Sequence, residues 1–225
     1  MVRKLALGLG LAASALAAVG AANLYQRYAT ETVPYATVAS IGDVELRRYP
    51  ASVIVQTVAP DQREAFGRLF RYVGGANQAR EDVSMTTPVE MDGGGAAISS
   101  TPVELAASGG SNSTTPAVET DEVGGEGGVR MAFYLPPQFD ADSAPVPTAD
   151  DVEVVAVPAR TLAVRRFSGL PSERRIERER EQLVQTLDEA EVPVRGDPFF
   201  LGYDAPWTLP FLRRNEVAVE VEAEG

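Results

Sequence analysis

One order of elements is written into this chain twice, and that recurrence limits the folds open to it. In residues 44–49, Val44 and Leu46 alternate with Glu45 and Arg47 in the manner of a half-buried strand, and after Pro50 residues 52–58 continue as a more apolar one. Asp61 and Glu64 then offer a capping box. Phe66, Leu69, Phe70 and Val73 follow at three-and-four spacing until Gly74 and Gly75 stop the pattern, which predicts a helix. Residues 152–157 and 161–167 read as strands again, and Pro171 and Ser172 open a second helix bearing Ile176, Leu183, Val184 and Leu187. Strand, strand, helix, strand thus occurs twice. The likeness of Leu46-Arg47-Arg48-Tyr49 to Val164-Arg165-Arg166-Phe167 points to an internal duplication, and strands segregated from helices favour an α+β fold over a parallel sheet.

The two units are separated by a stretch, about 92–128, in which Gly, Ser, Thr, Ala and Glu dominate. It reads as a loop-like insertion. Within it Thr101-Pro102-Val103-Glu104 and Thr115-Pro116 echo Thr87-Pro88-Val89-Glu90, as though part of an edge strand had been copied. The remainder of the chain is one domain, 33–225, preceded by a segment of different character, 1–32.

In that segment Arg3 and Lys4 precede an uncharged apolar run over residues 5–22, and the next ionised residue is Arg27. The run has the length of a bilayer span, about 20 residues. It also has the positive start and small-residue end of an export signal, with Gly20 and Ala22 placed for cleavage before Asn23. The length, and the interfacial look of Tyr25 to Tyr28, favour a retained membrane anchor with the domain outside; an exported soluble domain is the other reading.

A hydrophobic share of 44% suits a folded domain, so the formal charge of -12 describes an acidic surface. Lys4 is the only lysine beside nineteen arginines, the composition of a halophilic protein. Nucleic acid is not expected as a partner, because such a surface repels phosphate. There is no histidine and no cysteine. Disulfides are therefore excluded, and so are the imidazole base and thiolate nucleophile on which common enzyme mechanisms depend.

The first predicted helix carries the residues most open to a binding role. Arg63, Gly67 and Arg71 fall on one stripe, beside Phe66 and Phe70, with the two guanidinium groups about 12 Å apart along the axis. A mid-helix glycine costs roughly 1 kcal/mol relative to alanine. Gly67 therefore calls for an explanation, either the close approach of a flat ligand or the packing of a neighbouring strand. Aromatic carbon under a tetrapyrrole face and arginine on its carboxylates would make a matched pair. Trp207, the only tryptophan, either walls a groove or plugs the core.

Tyr72-Val73-Gly74-Gly75-Ala76-Asn77, Met85-Thr86-Thr87-Pro88-Val89, Phe133-Tyr134-Leu135-Pro136, Arg165-Arg166-Phe167-Ser168-Gly169, Gly202-Tyr203-Asp204-Ala205-Pro206 and Arg213-Arg214-Asn215-Glu216-Val217 follow one another in this order. Over residues 33–221 the ordered set resembles the SOUL haem-binding family. The resemblance implies a distorted antiparallel β-barrel flanked by two α-helices and built from two similar halves. It also implies haem, or a related tetrapyrrole, in an apolar groove lined by the first helix. Basic groove positions of the family fall on Arg63 and Arg71, and two apolar positions that are methionine in some members fall on Phe66 and Phe70. A further basic position falls near Thr208, so one carboxylate partner is lost. With no histidine, an axial partner for iron would be Met85, a tyrosine or none.

The expected function is non-enzymatic binding of haem or a related tetrapyrrole as carrier, buffer or scavenger. Arg63, Phe66, Gly67, Phe70, Arg71, Met85 and Trp207 form the expected haem-binding set, with no catalytic and no metal site. A module for another flat apolar molecule, or a tetrapyrrole-modifying enzyme, are the alternatives.

Overall fold

The computed structural model describes residues 30–93, 101–102, 128–205 and 207–222. Along the chain these form β1 (Glu31–Thr32), β2 (Ala36–Ile41), β3 (Val44–Tyr49), β4 (Ser52–Ala59), α1 (Gln62–Val73), β5 (Thr86–Thr87), β6 (Val89–Gly93) and β7 (Thr101–Pro102). The second half supplies β8 (Val129–Tyr134), β9 (Glu153–Val157), β10 (Arg160–Phe167), α2 (Glu173–Glu189), β11 (Val194–Gly202) and β12 (Asn215–Val221). Ten strands make one sheet in the order β2-β3-β10-β12-β11-β6-β8-β4-β9-β7, with every pairing antiparallel, and β1 pairs in parallel with β5. The fold is a mixed α+β one, with a large antiparallel sheet and two helices.

The order exposes the duplication. β3, β4, α1, β6 and β8 have their counterparts in β9, β10, α2, β11 and β12, and the sheet reads the same from either side of the β11–β6 pairing, with β3 lent to β10 and β9 lent to β4. Leu46–Tyr49 and Val164–Phe167 do not occupy equivalent strands, since β3 corresponds to β9. They lie instead on adjacent, hydrogen-bonded strands, with Leu46 opposite Ala163 and Glu45 opposite Val164. The match that does fall in register is Pro50-Ala51 with Pro158-Ala159, the two short links at which each half hands a strand to the other.

Those links also curl the sheet. β9 and β10 are six places apart in the ladder, roughly 29 Å if the sheet were flat. Only residues 158–159 join them, a reach of about 11 Å at most. The same holds for β3 and β4. Among the described residues no ladder closes the curl, so in place of the expected distorted barrel the strands form an open, strongly curled sheet that ends in β2 and β7. Pro50 and Pro158, which have no N–H to give, stand where a closing ladder would begin.

Alternation along the strands places the core. Ile54, Ala132, Tyr134, Leu162, Val164 and Ala218 fill the hollow of the curl. Their neighbours Val53, Val55, Met131 and Phe133 face α1, while Ala163, Phe167, Val217 and Val219 face α2. Each helix therefore covers half of the outer face. On α2 the buried stripe is Glu179, Leu183 and Leu187, and Val184, expected with them, is exposed. Glu179, a carboxylate in the charge-rich first half of this helix, is inside because Arg165 of β10 pairs with it at 3.0 Å.

The first echo within the insertion is partly in the sheet. Thr101 and Pro102 pair with Ala156 and Val155 at its edge. The second echo lies outside the described residues, as does the apolar run 5–22, so the expected anchor is not among them. No helix of the described residues is long and apolar enough to cross a membrane.

Candidate functional site: the outer face of the first helix

α1 is set by local chemistry. Asp61 caps it, its carboxylate accepting the Glu64 N–H at 2.9 Å, and Gly74 ends it. The Glu64 side chain pairs with Arg68 at 2.5 Å, so the reciprocal half of the expected capping box is not formed. Ala65, Leu69, Tyr72 and Val73 are the buried stripe. Tyr72 is anchored through its hydroxyl, which donates to the Pro145 carbonyl at 2.7 Å, and burial pushes that hydroxyl up to about 12.

Phe66 and Phe70, members of the expected haem-binding set, lie one step round the helix from that stripe and stand 41% and 54% exposed. Their rings stack at 5.7 Å and 17°, and the Phe66 ring meets the buried Phe133 edge-on at 5.5 Å. The pair is thus a fixed aromatic surface, oriented by a core residue beneath it. Arg68 is engaged by Glu64, Asp151 and the Val58 carbonyl. Arg63 and Arg71 are exposed, and their guanidinium groups have neither hydrogen-bond nor ion-pair partners among the described residues. A Cβ placed on Gly67 would meet only the Arg71 Nη1 atom, at 3.8 Å. No strand of the described residues packs there, which speaks against one of the two explanations for the glycine and leaves an open notch between the arginines.

The other expected residues are less closely tied to this face. Met85 is half-buried and packs against the core cluster under α1, with Leu69, Tyr72 and Phe133 among its members. Trp207 is 70% exposed, so it does not plug the core. It lies on the β11–β12 connection, whose Pro210 carbonyl accepts the Gly169 N–H. Thr208, at the position where the family resemblance would place a base, is buried.

A cleft of about 670 Å³ lies elsewhere, against α2. Its charge argues against it as the site. Asp92, Glu177, Glu181, Asp188 and Asp197 line it against Arg180, a setting that repels a ligand bearing carboxylates.

Sequence reasoning missed the two charged clusters inside the curl. Glu90 accepts from Arg130 at 2.5 Å, from Arg160 at 2.9 Å and from the Tyr134 hydroxyl at 2.9 Å. Burial pushes its carboxyl up, but the two guanidinium groups and the phenol outweigh that and hold it below the usual range. Glu216 likewise accepts from Arg47 at 2.8 Å, Tyr203 at 2.8 Å and Arg214 at 2.9 Å. Both carboxylates are satisfied from within the protein, although the buried Arg130 Nε has no partner among the described residues, and the two clusters brace the hollow of the curl.

The family model for the SOUL heme-binding protein matches residues 30–220. The chain belongs to the SOUL family. Its SOUL domain is 27% identical to mouse (Mus musculus) "Heme-binding protein 1" over 157 residues, covering 69% of this chain and 68% of that one. Among solved structures it is similar to the EcmrR C-terminal domain, with a TM-score of 0.50 and 14% identity over 80% of this chain and 98% of that one. This is a likeness of fold.

Proposed function

We propose that the chain binds haem or a closely related tetrapyrrole, without chemical turnover, on the outer face of α1, as a carrier, buffer or scavenger. The observation that carries this reading is the open notch at Gly67, bordered by the stacked Phe66 and Phe70 rings and flanked by two arginines whose guanidinium groups have no partner among the described residues. A flat macrocycle laid on the rings would bury apolar carbon on both sides. Each propionate would meet a guanidinium, whose planar fork suits a carboxylate. The absence of a side chain at Gly67 lets the macrocycle approach the helix backbone. Membership of a heme-binding family, and the printed name of the mouse relative, support the same ligand class.

The residues fit the macrocycle and its carboxylates better than its iron. The chain has no histidine or cysteine, and the Met85 thioether is packed below the helix. Recognition on this reading is by ring face and propionate. Haem should accordingly bind with a broad, high-spin-like spectrum.

A visible-absorption titration of the full chain with haem, protoporphyrin and an unrelated flat dye tests the reading. Haem and protoporphyrin should bind, and the dye, lacking carboxylates, should bind more weakly. Equal affinity for all three would favour a general module for flat apolar molecules. A sharp low-spin haem spectrum would overturn the ligand-poor face, and product formed from haem under reductant and oxygen would replace the carrier with an enzyme.

A further inference from the structure

Three large apolar side chains stand out of one end of the domain. Leu170, Trp207 and Phe211 are 60%, 70% and 71% exposed. They sit on two connections, residues 168–172 after β10 and 203–214 between β11 and β12, which are tied together. The Gly169 N–H donates to the Pro210 carbonyl at 3.0 Å, and the Asn215 side-chain amide donates to the Gly169 carbonyl at 3.0 Å. The longer connection is pinned from within by buried Thr208, whose carbonyl accepts from Arg213 at 2.9 Å. Exposing such residues on an otherwise acidic protein costs solubility, and an apolar cluster of this kind marks an interaction surface.

Where the chain enters the domain indicates what covers it. The strand registers set Phe167 opposite Asn215, Asn215 opposite Gly202, and Gly202 opposite Val89, so all four lie at one end of the sheet. The entering segment is fastened at that same end. Glu31 pairs with Thr86, the Val33 N–H donates to the Thr87 carbonyl at 2.9 Å, and Arg214 reaches the Tyr35 hydroxyl at 3.4 Å. Eight residue steps separate Ala22, the last residue of the apolar run 5–22, from Thr30. They reach about 28 Å at most.

We propose that this end of the domain docks on a lipid bilayer, with Leu170, Trp207 and Phe211 entering the interfacial layer while the apolar run 5–22 holds the chain in the same membrane. A run of that length seated in the hydrocarbon brings Thr30 close to the headgroups, and the apolar tip is the part of the domain then facing them. Tryptophan favours the interface, where its apolar body and polar N–H are both accommodated, and phenylalanine and leucine serve the buried face of interfacial segments. With a net charge of -12 the chain has little electrostatic attraction to anionic lipid, so apolar insertion is the contact open to it. The inference is independent of the tetrapyrrole reading, which concerns a different surface.

Trp207 is the only tryptophan, so its fluorescence reports this tip alone. The full chain is reconstituted in phosphatidylcholine vesicles with and without brominated phosphatidylcholine. Blue-shifted emission, quenched by the brominated lipid, is the expected result. Leu170→Ser with Phe211→Ser leaves the probe in place and should lose that quenching while the chain still sediments with the vesicles. Thermal unfolding of the variant by circular dichroism confirms that it is folded, and the parent chain alone decides the question if it is not. Emission indifferent to brominated lipid overturns the proposal. So does a chain that does not sediment with vesicles, or Trp207 shielded in a way that follows protein concentration and not lipid, which would make a second copy the occupant.

Discussion

Arg160 donates to the Glu90 carboxylate at 2.9 Å across the hollow of the curled sheet, from a strand three places away in the ladder. The pair joins the two halves of the chain, and neither charge reaches water. Removing one partner of a buried pair leaves the other uncompensated and costs about 3–5 kcal/mol. Glu90→Gln should therefore unfold at markedly lower denaturant concentration. The sign of its pH dependence follows from the folded carboxyl lying below its ordinary 4.5. The contribution is present in full above that value and is lost as pH falls through the lower, folded one. The parent should lose stability in that acid window and the variant should lose less. Equal denaturation midpoints at neutral pH would count against the pair as a brace.

Asp92 titrates with the opposite sign. Burial pushes its carboxyl up, against the pull of Arg180 and Arg130, and Asp197 and Glu90 add to the rise. The nearest cation contact is loose, Arg180 at 3.8 Å. A carboxyl raised above its ordinary 3.8 holds its proton more tightly when folded, so its influence on stability worsens as pH rises through the folded value. Asp92→Asn should raise the melting temperature at neutral pH, by about 1 kcal/mol or less in stability, and change nothing in strong acid.

On the outer face of α1 the two residue types should separate by ligand. Arg63→Ala with Arg71→Ala should weaken haem by roughly tenfold or more, since a charge-assisted hydrogen bond contributes about 1.5–3 kcal/mol. A porphyrin without propionates should be little affected. Phe66→Ala with Phe70→Ala should weaken both. Equal losses for both ligands in the arginine variant would remove Arg63 and Arg71 from recognition.

What the sequence made legible was local. Asp61 and Gly74 bound α1 as expected, because capping is decided within one turn of chain. Spacing grouped Phe66 and Phe70 with Leu69 and Val73, but only the latter two are buried, beside Ala65 and Tyr72, because apolar side chains at helical spacing look alike whether or not a sheet covers them. Glu90 and Glu216 were invisible for another reason. A charge on a strand reads as solvent-facing until its partners are known, and Arg130, Arg160 and Arg47 come from 40, 70 and 169 residues away. Some of the excess of arginine over lysine, expected to reflect the organism's habitat, is used here to pair buried carboxylates, with Arg214 reaching Glu216 through both Nε and Nη2.

The insertion interrupts a hairpin. β6 and β8 are adjacent and antiparallel, and Gly93 stands opposite Val129. A short turn could join them directly, and loop length changes closure entropy only logarithmically. Replacing residues 95–127 with a tight glycine-containing turn should leave the melting temperature within about 4 °C, the shift produced by 1 kcal/mol or so in a domain of this size. A larger fall would show that β7, which the replacement strips from the edge of β9, contributes to the sheet.

Gly67 offers the sharpest test of the candidate face, because its two roles pull in opposite directions. As a mid-helix residue it costs roughly 1 kcal/mol relative to alanine, and the space around it holds nothing closer to a new Cβ than the flexible end of Arg71, at 3.8 Å. Gly67→Ala should therefore raise stability by up to about 1 kcal/mol, measured by chemical denaturation. If a macrocycle lies against the backbone at that point, the added methyl lifts it off the helix, so the same variant should bind haem more weakly while being the more stable protein. Larger side chains should extend the trend, Gly67→Leu abolishing binding without unfolding the domain. Undiminished haem affinity in Gly67→Ala and Gly67→Leu would move the ligand off this face, whatever the arginine and phenylalanine variants do.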